Sequence, residues 1–500
     1  MKYNKAQNAL AGGTLLKRLE ANAGRFEQAE YTLDYIRKMD KCEWPGDYRG
    51  RVLLALSQLS GSLQKPCKIL KDLAEDTLVY MDSADADYKT DDVSLINEQH
   101  MSGYSWLLRA LLAYADYAKD PRFLSAAKQL FETYYLKGLP RYPEYPLPAN
   151  IQEEGKPIGA EQKEAVNGWK LSSDAGCVFI SLDGLSDYYA HTGDARAKAC
   201  FDALCRRFLE INPMEAKLQT HATLSALRGL LRMYQVTGEV NLLKTVIERF
   251  EMYLNNALTL NFANYNWFGY PRWTECCAVV DSYILALELF REGVGEKYLS
   301  VSEKILYNAL LAGQRSNGGF GSDCCLTPDG DRDTLAPYEQ CYEAFWCCSM
   351  RGAEGLTAAV SGNVHRVGDE IHVTGWREGK TSFEDATIEI KGDYPWADAV
   401  KLTVSGNRDA YALVIHPIGA EIRIERNGTE TICSDREITL NVPNGAELNV
   451  HMKLGMQEKP CGKGKAHWRG AMMLDENRLP ISDRIRMSAE ALHKGNKVVF

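Results

Sequence analysis

The sequence has no long apolar run and no cluster of basic residues. No stretch of its 500 residues reaches the ~18 apolar positions that a membrane span needs. Residues 1–24 hold no continuous apolar segment typical of a signal peptide. The net charge is −9 and no Lys/Arg block stands out. We therefore expect a cytoplasmic protein whose partners are neither nucleic acid nor membrane, and the sequence leaves open whether it forms a homo-oligomer.

The chain also lacks the Cys-x-x-Cys spacing of common structural zinc sites, although it contains 14 cysteines. Cysteines of a cytoplasmic chain stay reduced, so they serve in packing, catalysis or metal binding. A disulfide between adjacent cysteines would close a strained ring. This leaves packing or a metal to explain three adjacent pairs: Cys276-Cys277, Cys324-Cys325 and Cys347-Cys348.

A helical unit recurs over the first two thirds of the chain. In each copy, apolar residues fall at helical spacing on both sides of a turn that contains Gly or Pro. The copies are 106–135, 180–208, 221–253 and 281–311, with turns at 119–121, 192–194, 237–239 and 293–295. Their spacing is irregular, which a closed ring tolerates better than an open array. We predict a mainly α protein with an (α/α)6-type toroid over residues 1–360.

The pattern changes to short strands after residue 360. Apolar and polar residues alternate in segments that predict strands, and Asn427-Gly428 is a strong hairpin signal. The predicted strands are 371–373, 386–390, 400–404, 411–415, 421–425, 438–442 and 447–450. We therefore expect a β-rich, sandwich-like domain over residues 361–500.

Two cysteine-containing segments carry the chemistry. Glu275 and Cys277 form a Glu-x-Cys pair, and Cys347 and Cys348 follow about 70 residues later. Three thiolates and one carboxylate are enough for a four-coordinate zinc ion. The alternative is that these cysteines are small buried core residues, since free cysteine is among the most buried residue types.

These segments resemble glycoside hydrolase family 127, which contains β-L-arabinofuranosidases. The family has a Glu-Thr-Cys motif, a Glu-Arg-x-Leu-Tyr-Asn-x-x-Leu-Ala-Gly motif and a late Cys-Cys pair. This sequence has matching runs in the same order at 275–280, 303–313 and 347–348. Weaker similarity occurs at 221–223, 234–239 and 468–474.

The resemblance implies roles for individual residues. Glu275, Cys277, Cys347 and Cys348 would bind Zn²⁺, and Cys347 would also be the nucleophile of a retaining glycosidase. Glu303, in the second motif, matches a catalytic-site glutamate that contacts the sugar. His221 matches a substrate-contacting histidine.

One expected group is missing. The family has an acid/base glutamate shortly before the Glu-x-Cys motif, but residues 259–274 contain no Asp or Glu. The acid that protonates the leaving oxygen must come from elsewhere. Candidates are Glu303, Glu339, Glu343, Tyr265 and Tyr270.

Aromatic and polar segments supply further candidates for the pocket. Trp267 and Tyr270 would stack on a sugar, or would fill the core as large aromatic residues do by default. The segments 97–100 and 167–174 are polar where helices should face a central pocket. Segment 43–51 resembles an early family segment rich in Trp, Gly and Arg, and the resemblance implies no role beyond pocket lining.

The function predicted is a retaining glycoside hydrolase that acts as an exo-enzyme on a β-L-arabinofuranoside or a related unusual sugar. Its partner is a carbohydrate substrate and its cofactor is Zn²⁺. Two alternatives remain: a non-hydrolytic carbohydrate-binding protein with a structural zinc site, and a sugar epimerase or isomerase.

Overall fold

The molecule combines a ring of helices with a C-terminal set of β-sheets. The structure is a computed structural model that describes residues 3, 6–83, 86, 88–89, 93–146, 159–162, 164–269, 274–321, 325–326, 332–333, 343–418, 420–434, 436–461 and 464–474. In these ranges no helix combines the length and apolar composition needed to cross a bilayer.

The helices occupy most of the chain up to residue 361. They are α1 (Gly13–Arg25), α2 (Leu33–Met39), α3 (Asp47–Leu63), α4 (Leu70–Asp82), α5 (Glu98–Ala118), α6 (Pro121–Leu130), α7 (Leu136–Gly138), α8 (Ser181–Thr192), α9 (Ala195–Leu209), α10 (Thr220–Thr237), α11 (Val240–Asn256), α12 (Cys276–Arg291), α13 (Glu296–Ile305) and α14 (Cys348–Ser361). Short 3-10 segments lie at Ala29–Tyr31, Leu139–Glu144 and Cys177–Ile180, and π-helical segments at Phe131–Tyr135 and Leu306–Leu310.

Six of these helices close an inner ring. Each inner helix packs against the next in the order α3, α5, α8, α10, α12 and α14, and α14 packs against α3 to close the ring. A second helix packs outside each of them: α4, α6, α9, α11, α13 and α1. The predicted (α/α)6 toroid is confirmed.

The turns between paired helices form as their sequences predict. Gly193 and Gly238 follow α8 and α10 with φ of 65° and 79°, the left-handed conformation that ends a helix. The carboxylate of Asp194 then caps α9 by accepting the Arg196 backbone N–H. Local signals therefore fix these helix boundaries.

The strands lie mainly after residue 363. They are β1 (Asn8–Ala11), β2 (Ile96–Asn97), β3 (Trp169–Lys170), β4 (Cys325–Leu326), β5 (Arg332–Asp333), β6 (Val364–Val367), β7 (Glu370–Val373), β8 (Gly379–Ser382), β9 (Ala386–Lys391), β10 (Ala399–Gly406), β11 (Ala410–Ile415), β12 (Ile422–Arg426), β13 (Thr429–Cys433), β14 (Ile438–Pro443), β15 (Glu447–Met452), β16 (Met456–Cys461), β17 (Gly464–Arg469) and β18 (Met472–Leu474).

Two sheets make up most of the C-terminal region. One has the order β1-β8-β9-β10-β15-β12-β13, and the other β14-β11-β7-β6. Alternate residues such as Val400, Leu402 and Val404 on β10 are buried, and both sheets contribute side chains to one hydrophobic cluster. This is the pattern of a sandwich-like domain. The Asn427-Gly428 hairpin forms between β12 and β13 as predicted.

The N-terminal strand was not expected from the sequence. β1 pairs antiparallel with β8, with Asn8 opposite Ser382 and Ala11 opposite Gly379. A segment from the start of the chain thus completes the edge of the C-terminal sheet. The pairing ties α1, and with it the toroid, to the β-region.

Candidate active site

A cavity of about 310 Å³ opens at one end of the inner ring. Its walls come from the N-terminal ends of inner helices: Asp47 begins α3, His221 is the second residue of α10, and Glu275 and Cys347 cap α12 and α14. Helix N-termini carry partial positive charge and unpaired N–H groups. The cavity is therefore suited to anionic groups such as thiolates.

Four potential metal ligands converge in this cavity. One ligand atom each of Glu275, Cys277, Cys347 and Cys348 lies within 4.8 Å of all the others. The Sγ atoms of Cys347 and Cys348 are 3.5 Å apart. Because α12 and α14 are neighbours in the ring, their first residues meet even though 70 positions separate them in sequence. The four residues that the sequence analysis grouped are thus brought together.

The four side chains differ in access. Cys277 and Cys348 are buried, whereas Cys347 is partly open to the cavity. The Cys276 thiol is not in the cluster; the residue lines a separate small pocket with Asn308. Cys347 is the thiol of the cluster that a ligand can reach.

Burial and mutual hydrogen bonding shift the pKa values of the cluster in opposite directions. Burial raises the pKa of Cys277 to about 12. Burial and the neighbouring Cys277 raise the pKa of Glu275 well above its usual value. Hydrogen bonds from the Cys277 and Cys347 thiols lower the pKa of Cys348. These surroundings favour the thiolate form at Cys348 over Cys277.

The donor set fits a thiophilic, four-coordinate metal ion. It offers three sulfur atoms and one carboxylate, the ligand types of zinc sites. The Glu275 Oε2 atom is buried and has no hydrogen-bond partner among the described residues, which is costly for a carboxylate oxygen unless a cation binds there. The residues present therefore fit a metal centre.

A fixed positive charge lies beside the sulfur atoms. The Arg51 Nη1 atom is 3.8 Å from Cys277 Sγ, and Arg51 Nε donates to Asp47 Oδ1 at 2.7 Å. The guanidinium stacks on the Trp106 ring at 4.0 Å. Ion pair and stacking together hold this charge in place, where it favours thiolates.

His221 lies between the cluster and the ring interior. Its Nδ1 is 3.6 Å from Glu275 Oε1, and its Nε2 is 3.7 Å from Asp281 Oδ2. Burial and the nearby Arg51 and Arg351 hold the His221 pKa well below its usual value. His221 is therefore a neutral imidazole at the wall of the cavity.

The candidate Glu303 lies outside the cavity. Glu303 belongs to the outer helix α13, where its Oε1 accepts from Arg377 Nη1 at 2.5 Å, and it is 2% exposed. The Asn308 amide in the same motif accepts from Met473 N and donates to the Ala471 carbonyl. This motif joins the toroid to the β-region, because outer helices face away from the centre of the ring.

The aromatic residues that line the cavity differ from those that the sequence predicts. Trp267 is 2% exposed, and its backbone forms an isolated antiparallel β-bridge with Gln219. Its side chain is therefore buried behind the cavity wall. Tyr270 lies outside the described residues. Trp44 and Trp346 line the cavity instead, and Trp346 is 39% exposed. The sequence predicts pocket lining for segment 43–51, which contains Trp44. It distinguishes Trp346 only by its place before Cys347.

The remaining acid candidates do not supply a cavity carboxyl in the described part of the chain. Glu343 accepts from Arg25 at 2.8 Å and from Ser349 at 2.7 Å, which makes it structural. Glu339 lies outside the described residues. Asp174 does line the cavity. Asp174 ends segment 167–174, which the sequence predicts to face the pocket, but the sequence gives no separate role to this residue.

Comparisons with known proteins point to one family. A family model described as beta-L-arabinofuranosidase, GH127 catalytic domain, matches residues 80–361, more than half of the chain. No curated protein matches.

Solved structures share the fold at low identity. One described as a glycoside hydrolase has a TM-score of 0.69 and 14% identity, over 94% of this chain and 83% of that one. A GH127 β-arabinofuranosidase has a TM-score of 0.63 and 14% identity, over 91% and 78%. A GH127 β-L-arabinofuranosidase from Geobacillus stearothermophilus T6 has a TM-score of 0.60 and 15% identity, over 91% and 80%.

Proposed function

The chain belongs to the GH127 β-L-arabinofuranosidase catalytic-domain family and is a glycosidase, and from this we propose that it is a retaining exo-enzyme acting on β-L-arabinofuranosides or a closely related furanoside. The proposal rests on one observation above all: the accessible thiol of Cys347 faces the cavity beside Glu275, Cys277 and Cys348. Family membership favours a hydrolase over the sugar epimerase and the non-hydrolytic carbohydrate-binding protein.

Zinc is the cofactor that the ligand set supports. Glu275, Cys277, Cys347 and Cys348 would hold it. Bound zinc keeps coordinating thiols deprotonated at neutral pH. The Arg51 guanidinium and the N-termini of α12 and α14 favour the same thiolate state.

Cys347 is the proposed nucleophile. Its sulfur attacks the anomeric carbon; a C–S bond forms while the C–O bond to the leaving group breaks. Water then displaces the sulfur. Two inversions at the same carbon give net retention. Cys277 and Cys348 are buried, whereas Cys347 is partly open to the cavity, which favours Cys347 as the sulfur that reaches the sugar carbon.

The other cavity residues bind and orient the sugar. Neutral His221 exchanges hydrogen bonds with ring hydroxyl groups, and Trp44 and Trp346 offer apolar faces for stacking. Buried Trp267 supports the wall at Gln219. An end pocket of about 310 Å³ suits a terminal sugar residue, which supports exo-action.

The test compares wild type with Cys347→Ser on a panel of β- and α-linked L-arabinofuranosides and other furanosides. Cys276→Ser is the control, because Cys276 is a buried cysteine beside the cluster whose thiol lies outside it. We expect wild type and the control to hydrolyse a β-L-arabinofuranoside, and Cys347→Ser to lose at least ~10³-fold in kcat/KM. NMR of the first product should show the β anomer.

Hydrolysis by Cys347→Ser at the wild-type rate would contradict the nucleophile. A first product of the α anomer would contradict retention. Sugar binding without hydrolysis of any furanoside in the panel would identify a carbohydrate-binding protein instead.

A further inference from the structure

A retaining glycosidase needs a group that gives a proton to the leaving oxygen and later takes one from water. Residues 259–274, which lead to Glu275, contain no Asp or Glu. A buried carboxyl at the cavity wall is the group with suitable chemistry.

Three carboxyl side chains line the cavity among the described residues: Asp47, Asp174 and Glu275. Glu275 belongs to the thiol cluster. Asp47 forms an ion pair with Arg51 at 2.7 Å. Asp174 has no ion-pair partner among the described basic residues and is not part of the cluster, so it is free to exchange a proton with a ligand.

Asp174 is held firmly at the cavity wall. Its backbone N–H donates to Ser172 Oγ at 3.1 Å, and its carbonyl accepts from the Cys177 N–H at 3.0 Å. Its Oδ1 accepts from the Gly159 N–H at 3.2 Å. The residue is 8% exposed. A rigid turn thus presents the carboxyl group to the cavity.

The surroundings of Asp174 favour a protonated acid in the resting state. Burial raises the pKa of Asp174 to about 6, while the Gly159 N–H and Gln219 side chain oppose the rise. Among the described residues, the titratable groups that interact with it are acidic or thiol: Glu98, Cys177 and Glu275. No described Arg or Lys lowers its pKa. An acid of this kind can donate a proton near neutral pH.

We propose that Asp174 is the general acid/base of this glycosidase. As the Cys347 sulfur bonds to the anomeric carbon, Asp174 gives its proton to the departing oxygen. The resulting carboxylate then removes a proton from the water that displaces the sulfur, and the free thiolate is restored. This inference rests on the proposed function.

The test uses Asp174→Asn in the full-length, metal-loaded protein, with 4-nitrophenyl and methyl β-L-arabinofuranosides. The 4-nitrophenolate leaves without protonation, whereas methoxide requires it. We expect kcat/KM to fall at least ~10³-fold for the methyl glycoside and less than ~10-fold for the 4-nitrophenyl glycoside. Added azide should speed turnover of the variant and yield the β-glycosyl azide.

Equal losses on both substrates, with no effect of azide, would overturn the proposal and make Asp174 structural. Glu339→Gln is the comparison variant; if it shows the substrate-dependent loss and Asp174→Asn does not, Glu339 is the acid. Asp174→Ser repeats the test should the Asn variant fail to fold. Hydrolysis of either glycoside by wild type shows that the glycosidase is active, so a failure of this inference then concerns Asp174 alone and leaves the proposed function intact.

Discussion

Glu303 illustrates how one residue can match a motif and still lie away from the cavity. Its carboxylate is buried against Arg377, with Tyr283 and Tyr307 beside it. Burying two charges is costly, and the pair is stable because each charge compensates the other. The residue therefore links α13 to the segment between β7 and β8.

Replacing one member of this pair should affect stability more than catalysis. We expect Glu303→Gln to lower the free energy of unfolding by about 3 kcal/mol, because the Arg377 charge would stay buried without a partner. Glu296→Gln, at a half-exposed position of the same helix, should cost less than about 1 kcal/mol. Chemical denaturation measures both.

Activity per folded molecule decides between the two roles of Glu303. A Glu303→Gln protein of near-wild-type stability that loses hydrolysis by more than ~10²-fold would place the residue in substrate binding. Wild-type kcat/KM in the folded fraction would support its structural role.

At the level of residues, the sequence could predict the Glu/Cys cluster and not the acid that we propose. Glu275, Cys277, Cys347 and Cys348 are recognisable because their residue types are rare and occur in close pairs. Asp174 is an ordinary aspartate in a polar segment. Its value as an acid depends on burial and on the absence of a cationic neighbour, and both are set by distant parts of the fold.

The inner helices approach one another closely at glycines. A Cβ atom on Gly50 of α3 would lie 2.4 Å from the Leu107 backbone nitrogen of α5. On Gly229 of α10 it would lie 2.5 Å from the Leu182 carbonyl carbon of α8. The obstruction is backbone in both cases, so helices rather than side chains would have to move.

A single methyl group at Gly50 should therefore strain the ring. We expect Gly50→Ala to destabilise the protein by about 3 kcal/mol, because α3 and α5 cannot separate without opening the ring. Gly61→Ala is the matched control in the same helix, since a Cβ there meets nothing within 4 Å; it should be neutral or stabilising by up to about 1 kcal/mol. Equal effects of the two changes on the melting temperature would contradict this account.

Element boundaries were predictable where the signal is local. Helix breaks at Gly193 and Gly238 and the hairpin at Asn427-Gly428 each depend on a few adjacent residues. The β1–β8 pairing joins segments about 370 residues apart, and the β1 sequence Asn-Ala-Leu-Ala has no strand pattern. Such a contact is fixed by the closed toroid, which brings the N-terminus to the sheet edge.

The junction between the toroid and the β-region contains a row of histidine rings. His365 stacks on His372 with centroids 5.0 Å apart, and His372 stacks on His416 at 5.2 Å. Phe290 of α12 packs edge-on against His365. Burial lowers the pKa of His365 to about 2 and that of His372 to about 4. Both rings are neutral in the folded protein.

This row should make the junction sensitive to acid. Below the unfolded-state histidine pKa of about 6.5, the unfolded chain binds protons that the folded rings do not. The free energy of unfolding therefore decreases as pH falls through this range. Between pH 7 and pH 5, we expect wild type to lose about 2 kcal/mol more stability than His365→Phe, which keeps the stacking and cannot take a proton. Denaturation at the two pH values measures the difference.

The variant comparison removes the contribution of other groups. Buried acids such as Glu98, whose pKa burial raises to about 7, act in the opposite direction and are common to both proteins. Identical pH dependence of wild type and His365→Phe would show that His365 carries no linked proton.

At the scale of the whole molecule, the central proposal is one metal–thiolate centre at the mouth of the inner ring. Zinc content, measured by inductively coupled plasma mass spectrometry on wild type, Cys277→Ser and Cys276→Ser, tests this most directly. We predict about one zinc per chain in wild type and in the Cys276→Ser control, and its loss in Cys277→Ser. If purified wild type contains no zinc, or if Cys277→Ser retains the wild-type zinc content, the metal centre is contradicted. The cysteines would then serve in packing.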